Sequence, residues 1–253
     1  MAGLGRVGRS IFAKLSIAAM LATAAMAAPT AHSAERKLLV ASFENIVVIG
    51  DINVVVQTGK SPSAMASGDK RTLELLKLDR IGTTLRVRLQ GNLNNQAGTP
   101  ISTPLQLTLT TQAIKDLTLS GNGTLTVSEI RQHTSSRLMV AGNGKISVGR
   151  LLTDQFAATI NGNGRVDIGG GSARDARVTI DGAGTFDGEK VQMRKLRLEH
   201  IGNAVSTATV EEGTEIFNRG SGNMTINGQG TCFIKLAGNA AISCAKIDKG
   251  SSK

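Results

Sequence analysis

A corner of glycine, asparagine and glycine, set between two stretches of alternating apolar residues, recurs along this chain and restricts its fold more tightly than anything else in it. Clear copies are Leu117-Thr-Leu-Ser-Gly-Asn-Gly-Thr-Leu-Thr-Val127, Leu138-Met-Val-Ala-Gly-Asn-Gly-Lys-Ile-Ser-Val148, Ala158-Thr-Ile-Asn-Gly-Asn-Gly-Arg-Val-Asp-Ile168 and Val178-Thr-Ile-Asp-Gly-Ala-Gly-Thr-Phe-Asp-Gly188. Their leading glycines, Gly121, Gly142, Gly162 and Gly182, stand 21, 20 and 20 residues apart. Weaker copies continue at Gly202, Gly220 and Gly238, spaced 20, 18 and 18, and an early one spans Ile46 to Val56 around Gly50, making eight units. Self-similarity at such a period marks units that stack on one another.

Within a unit, glycines and apolar residues share one parity: Leu138, Val140, Gly142, Gly144, Ile146 and Val148 are all even. Period two means strand with one buried face, so each unit reads as strand, sharp corner, strand. A corner that turns inward leaves no room for a Cβ and favours positive φ, which glycine tolerates best. One such unit cannot bury its apolar face alone. Coils stacked at about 4.8 Å give every strand a partner above and below and one continuous core. The expected fold is therefore all-β, a parallel β-helix-like solenoid with coils of about 20 residues. A hairpin sandwich is the competing reading, because Asn-Gly also marks hairpins. The joint repetition of register, turn and spacing favours the solenoid.

Stacking predicts columns. The corner column reads Asp51, Asn122, Asn143, Asn163, Ala183, Asn203, Ser221, Asn239, a ladder whose amides can bond up and down the stack. Five residues before their leading glycines stand Arg137, Arg177 and Arg197, with Arg174, Arg194 and Lys195 nearby. This is the candidate anion-binding patch; the alternative is a solvated face with acidic neighbours such as Glu189 and Glu199. Two units break the pattern, because His200 and Asn218 fall where the others carry Leu, Val or Ile. A bulge that turns Ile201 and Phe217 inward is the preferred reading, and a polar pair buried on neighbouring coils the alternative.

Both cysteines, Cys232 and Cys244, lie six residues from Gly238 on the inward parity. In an exported chain this predicts a disulfide across the two arms of the terminal coil, unless arms diverging from the corner hold them too far apart. Export itself is read from the start. Arg6, Arg9 and Lys14 precede the apolar run Leu15 to Ala28, which ends in small residues, and Glu35-Arg36-Lys37 follows. Residues 1–34 are expected to be a signal peptide, the alternative being a retained membrane anchor. No later stretch is apolar enough to span a bilayer. The expected organisation continues with an irregular N-terminal β section over 35–110, regular repeats over 111–248 and a disordered tail over 249–253. Alternation at Thr83, Leu85, Val87 and Leu89 and at Leu105, Leu107 and Leu109 marks strands, and Gly91 to Pro104 reads as a long loop.

The chain holds 29 Lys and Arg against 19 Asp and Glu, and loss of Arg6, Arg9 and Lys14 with the leader leaves 26 against 19, a net charge of +7. Such a balance favours anionic surfaces, as a screened and non-specific attraction. With no Trp, no Tyr and 6 Phe, an aromatic platform for nucleic acid and the aromatic girdles of an outer-membrane barrel are both lacking. His133 and His200 share no spacing, so no metal or catalytic triad signature arises, and no cofactor is expected.

The opening Phe43-Glu-Asn-Ile-Val-Val-Ile-Gly-Asp-Ile-Asn-Val-Val-Val-Gln-Thr-Gly59, the strand Leu105 to Leu109 and the repeated corner together resemble the GIN domain family, the auto-transporter adhesin head of bacterial exported proteins. The resemblance covers about residues 40 to 247. It implies a right-handed β-helix-like fold and an adhesion role, although the chain lacks the translocator barrel an auto-transporter carries. The expected function is a non-enzymatic exported binding module, periplasmic, on the outer cell surface or secreted, that contacts anionic polysaccharide, lipopolysaccharide or another envelope component. The alternatives are a polysaccharide-active β-helix enzyme, for which Asp167 and Asp187 with Lys145 and Arg165 are the carboxylate and base column, and a purely structural envelope scaffold.

Overall fold

Period-two apolar patterning with tight corners leaves the chain little choice but to stack, and the computed structural model shows that stack for residues 34–91 and 105–248. The leader expected over 1–34 falls outside the described residues except for Ala34, as do the tail 249–253 and all of the Gly91 to Pro104 loop except Gly91. The described residues belong to one unit.

The chain opens with β1 (Ala34–Leu38), β2 (Asn45–Ile49), β3 (Asn53–Thr58) and β4 (Ser63–Gly68), then one short helix, α1 (Lys70–Leu75), and β5 (Leu76–Ile81), β6 (Thr84–Leu89), β7 (Gln106–Thr111) and β8 (Asp116–Gly121). From there the strands lie between successive glycine corners: β9 (Thr124–Gly142), β10 (Lys145–Gly162), β11 (Arg165–Ile168), β12 (Gly171–Gly182), β13 (Thr185–Gly202), β14 (Val205–Gly220), β15 (Asn223–Leu236) and β16 (Ala241–Asp248). From β9 onward every pairing is parallel, with Ile146 between Leu125 and Val166 and Ile160 between Val140 and Ile180. The result is a β-solenoid of about six turns.

The early copy of the repeat joins the same stack across a long excursion. β2 lies between β6 and β8, with Ile46 opposite Leu85 and Leu117, and β3 lies between β7 and β9, with Val54 opposite Leu107 and Leu125. That end is covered by antiparallel strands, β1 on β4, β4 on β7 and β5 on β6, with Leu73 of α1 and Leu76 just after it buried. The helix starts where Asp69 accepts a hydrogen bond from the Arg71 N–H at 2.9 Å.

The shared parity places the core. Leu117, Leu119, Leu138, Val140, Ile146, Ile160, Val166, Val178, Ile180 and Leu198 are all buried. Each such side chain contributes about 1.5–3 kcal/mol through its removal from water.

The two corner glycines answer different constraints. Gly162 has φ +110, and a Cβ there would sit 2.7 Å from the Gly142 carbonyl oxygen of the coil below. Gly144 has no such φ, but its Cβ would point into the core, 2.7 Å from Leu119 Cδ2. Between them the asparagines bond along the stack: Asn122 Nδ2 to Asp51 Oδ1 at 3.0 Å, Asn143 Nδ2 to Asn122 Oδ1 at 2.9 Å and Asn163 Nδ2 to Asn143 Oδ1 at 3.0 Å. Ala183 interrupts the run, after which the Ser221 hydroxyl donates to Asn203 Oδ1 at 2.7 Å.

The bulge expected at the two irregular units is not there. His200 lies between Ile180 and Asn218 in unbroken register, and His200 and Asn218 are both buried while Ile201 and Phe217 are only partly so. The polar pair is accommodated because Ser206, on the inward parity of the next arm, sits with its Oγ 2.6 Å from His200 Nε2, and the Asn218 amide donates to the Gly220 carbonyl at 2.8 Å. The register shifts lie instead on another side of the coil, between Gly188 and Gln192 and between Met193 and Lys195, where the coil shortens from 20 to 18 residues.

Candidate functional site

Strand alternation turns residues 137, 177 and 197 outward on the arm that precedes the glycine corner, and parallel register decides which of them meet. Arg177 lies directly opposite Arg197 on the next coil, whereas Arg137 is separated from Arg177 by Ala157. From Asp116 onward the column reads Asp116, Arg137, Ala157, Arg177, Arg197, Glu215, Phe233, Asp248. With coils about 4.8 Å apart, Arg137 and Arg177 stand roughly 10 Å from each other.

The candidate residues divide into two groups. Arg197 donates to Glu215 at 2.9 Å, and its guanidinium lies 4.2 Å above the Phe217 ring. Arg194 and Lys195 both face Glu212, at 3.6 and 4.0 Å. These cations are largely neutralised by the following coil. Arg137 and Arg177 make no ion pair among the described residues. Ala157, Thr159 and Thr179 lie beside them, with Met139 two residues from Arg137 and Asp116, whose Oδ1 accepts from the Arg137 backbone N–H at 3.0 Å, opposite it.

Where the pairs converge, Lys195, Arg197, Asp175, Glu212, Glu215 and Phe233 line an open cleft of about 490 Å³. Its charges are mixed, so its field is weaker than a count of its basic residues suggests. Both partners in these pairs are well exposed, and such ion pairs contribute about 0–1 kcal/mol each.

The second charged column is knitted together in the same way. Asp167 is held by Lys145 at 2.7 Å and Arg165 at 2.6 Å, and Arg165 also reaches Asp187 at 3.5 Å. Diagonal pairing across coils thus engages both carboxylates that a hydrolytic reading would use. Among the described residues His200 is the one titratable group clearly displaced from its ordinary value: burial lowers it from 6.5 to about 4, so the ring is neutral. It is buried in the core, on the inward parity of β13.

At the far end, Cys232 and Cys244 form a disulfide, with Cα atoms 6.6 Å apart, that ties β15 to β16. Among the described residues no helix is long and apolar enough to cross a membrane.

Three solved structures share the architecture. A "putative adhesin" from Bacteroides fragilis is similar at TM-score 0.69 and 16% identity, over 87% of this chain and 97% of that one. A "putative adhesin" from Parabacteroides merdae is similar at TM-score 0.62 and 16% identity, over 87% and 97%. A "putative lipid binding protein" from Parabacteroides distasonis is similar at TM-score 0.59 and 13% identity, over 86% and 96%. At these identities the likeness is one of fold. No curated protein matches the sequence. The family model described as "Putative auto-transporter adhesin, head GIN domain" matches residues 42–230.

Proposed function

This chain belongs to the auto-transporter adhesin head GIN domain family, and from that premise we propose that it is a non-enzymatic exported binding module that holds an anionic envelope polymer against the strip carrying Arg137 and Arg177. The leader over 1–34 takes it across the membrane, and its site of action is the cell envelope or outer surface. The observation that carries the reading is the division among the arginines: Arg197 is tied to Glu215, while Arg137 and Arg177, on either side of Ala157, make no ion pair among the described residues. Two cations at a fixed spacing suit a chain with regularly placed carboxylates or phosphates, such as an acidic polysaccharide or lipopolysaccharide. Guanidinium forks engage such groups by two parallel hydrogen bonds. The names given to the solved structures of this fold, adhesin and lipid binding protein, agree with contact to a surface component.

A glycan and lipopolysaccharide array tests the reading, with wild type beside an Arg137→Glu, Arg177→Glu double variant. Saturable binding to a defined polymer that the variant loses is the expected result. The comparison is made at two salt concentrations, because the screening length falls from about 30 Å at 0.01 M to about 8 Å at 0.15 M and removes diffuse attraction first. Binding that the variant retains, or that salt abolishes for both proteins alike, overturns the reading.

A further inference from the structure

The corner between β11 and β12 departs from the coils on either side of it. Where β10 and β13 run on without a break, this coil carries Gly169-Gly170-Gly171, and the strand is interrupted between Ile168 and Gly171. Gly171 answers to packing: its φ is +122, and a Cβ there would overlap the Leu151 carbonyl oxygen of the preceding coil. Gly170 is not crowded. A Cβ on it would have no heavy atom nearer than the Lys190 carbonyl oxygen at 3.7 Å, so open space lies beside it.

Register decides what surrounds that space. Leu151, Gly171 and Val191 lie opposite one another on three successive coils, as do Leu152, Ser172 and Gln192. One position before the first set stand Arg150, Gly170 and Lys190. Two cations, about 10 Å apart along the stack, therefore flank a residue without a side chain. Together with Ser172 and Gln192 they line an open notch of about 550 Å³, in which Leu152 is the one apolar side chain.

Each polar side chain of the notch can donate a hydrogen bond, through guanidinium, ammonium, hydroxyl or amide, and no carboxylate lines it. Neither Arg150 nor Lys190 makes an ion pair among the described residues. Glu129, opposite Arg150 on the preceding coil, is held by Arg131 at 2.9 Å, and Glu189, next to Lys190 in the chain, stands outside the lining. The notch thus differs from the cleft beside Arg197, whose charges are mixed.

We propose that this notch binds the phosphate group of a phosphorylated sugar. Two cations match a group that carries close to two negative charges, where a carboxylate carries one. Its three terminal oxygens can accept from the Arg150 fork and the Lys190 ammonium together. The space exceeds what a phosphate fills and is of the size of small-molecule sites, which leaves Ser172 and Gln192 for the hydroxyls of the sugar. Arg150 lies beyond the Gly142 to Gly144 corner from Arg137, so the site stands independently of the strip carrying Arg137 and Arg177.

The test follows the backbone amide resonances of the protein in about 0.15 M salt, where diffuse attraction is screened, as glucose 1-phosphate, inorganic phosphate, glucuronate and glucose are added in separate titrations. Glucose 1-phosphate is expected to shift the Gly170, Gly171 and Ser172 amides saturably, inorganic phosphate to shift the same amides with lower affinity, and glucuronate and glucose to leave them in place. Ser172→Asp, which brings a carboxylate to an exposed position of the notch, and the Arg150→Gln, Lys190→Gln double variant should each weaken the sugar phosphate by about tenfold or more, the value of one hydrogen bond to a charged group. Unchanged amides at Val140 and Ile160 show that these variants keep the stack. Arg137→Glu, Arg177→Glu should bind the sugar phosphate as wild type does, which separates failure here from failure of the strip. No saturable shift with glucose 1-phosphate, an equal response to glucuronate, inorganic phosphate bound as tightly as the sugar phosphate, either notch variant binding like wild type, or an equal loss in the Arg137, Arg177 variant would each overturn the proposal.

Discussion

Acidification should loosen this protein through one residue, His200. Burial holds its imidazole neutral down to about pH 4, whereas the unfolded chain protonates it near 6.5. As pH falls the unfolded state takes up the proton first, so stability from this group is complete above about pH 7 and declines between 6.5 and 4. Below 4 both states are protonated and no further loss arises from it. The interval of 2.5 pH units, at about 1.4 kcal/mol each, amounts to about 3.5 kcal/mol, of which about 3 kcal/mol is lost by pH 4. That is a large part of the 5–15 kcal/mol typical of a whole domain. The assay is urea unfolding from pH 8 to pH 4 on wild type beside His200→Leu, Ser206→Ala. The second change removes the hydroxyl that would otherwise lose its partner, since Ser206 Oγ lies 2.6 Å from His200 Nε2. Carboxylates titrate in both proteins and cancel in the difference. Wild type should lose about 3 kcal/mol more than the variant over that range. Parallel curves would refute the claim that burial of this ring is the pH-sensitive element.

Gly162→Ala should cost about 2–4 kcal/mol, because φ +110 is strained for a side chain and the added Cβ meets the Gly142 carbonyl at 2.7 Å; Gly59→Ala, with φ +78 and open space around it, should cost only about 1 kcal/mol, and equal midpoints in urea would count against the stacking argument. Reducing the disulfide opens a loop of sequence separation 12 and should cost about 3 kcal/mol, read by hydrogen exchange as lost protection confined to β15 and β16. Asn143→Ala removes the bonds to Asn122 and Asn163 at an exposed corner and should cost about 0.5–1.5 kcal/mol; a loss above that would mean the ladder fixes coil geometry as well as satisfying its amides.

Much of the stack was legible because its causes are local and repeated. The even parity of Leu138, Val140, Ile146 and Val148 is enough to bury all four, and the likeness of Ile46–Val56 to later units is enough to bring Gly50 onto Gly121. His200 escaped the same logic. Alternation sorts polar residues to the outside, and the hydroxyl that makes this ring tolerable lies six residues on, around a corner. The short helix α1 was missed as well; its one signal, Asp69 ahead of Lys70-Arg71-Thr72, is weak over six residues. The arginine column could be written down from spacing, but its division into tied and untied members depends on what lies one coil further. Arg197 meets Glu215 because the spacing drops to 18 at Gly220, a number already present in the repeat. Whether a cation is neutralised there is a property of the next coil.

The long excursion between β3 and β9 also sets an order of events. Successive corners in the regular array are about 20 residues apart, as from Asn143 to Asn163, whereas Asn122 reaches back 71 residues to Asp51. Closing the longer loop costs about 1 kcal/mol more in chain entropy, nearly two doublings of length. Coils from β9 onward can therefore zip one against the next, while Val54 and Val56 wait for Leu125 and Val127 to exist. The stretch of this unit that is synthesised early is among the last to be secured, and until then its bare apolar strand is what a chaperone would hold.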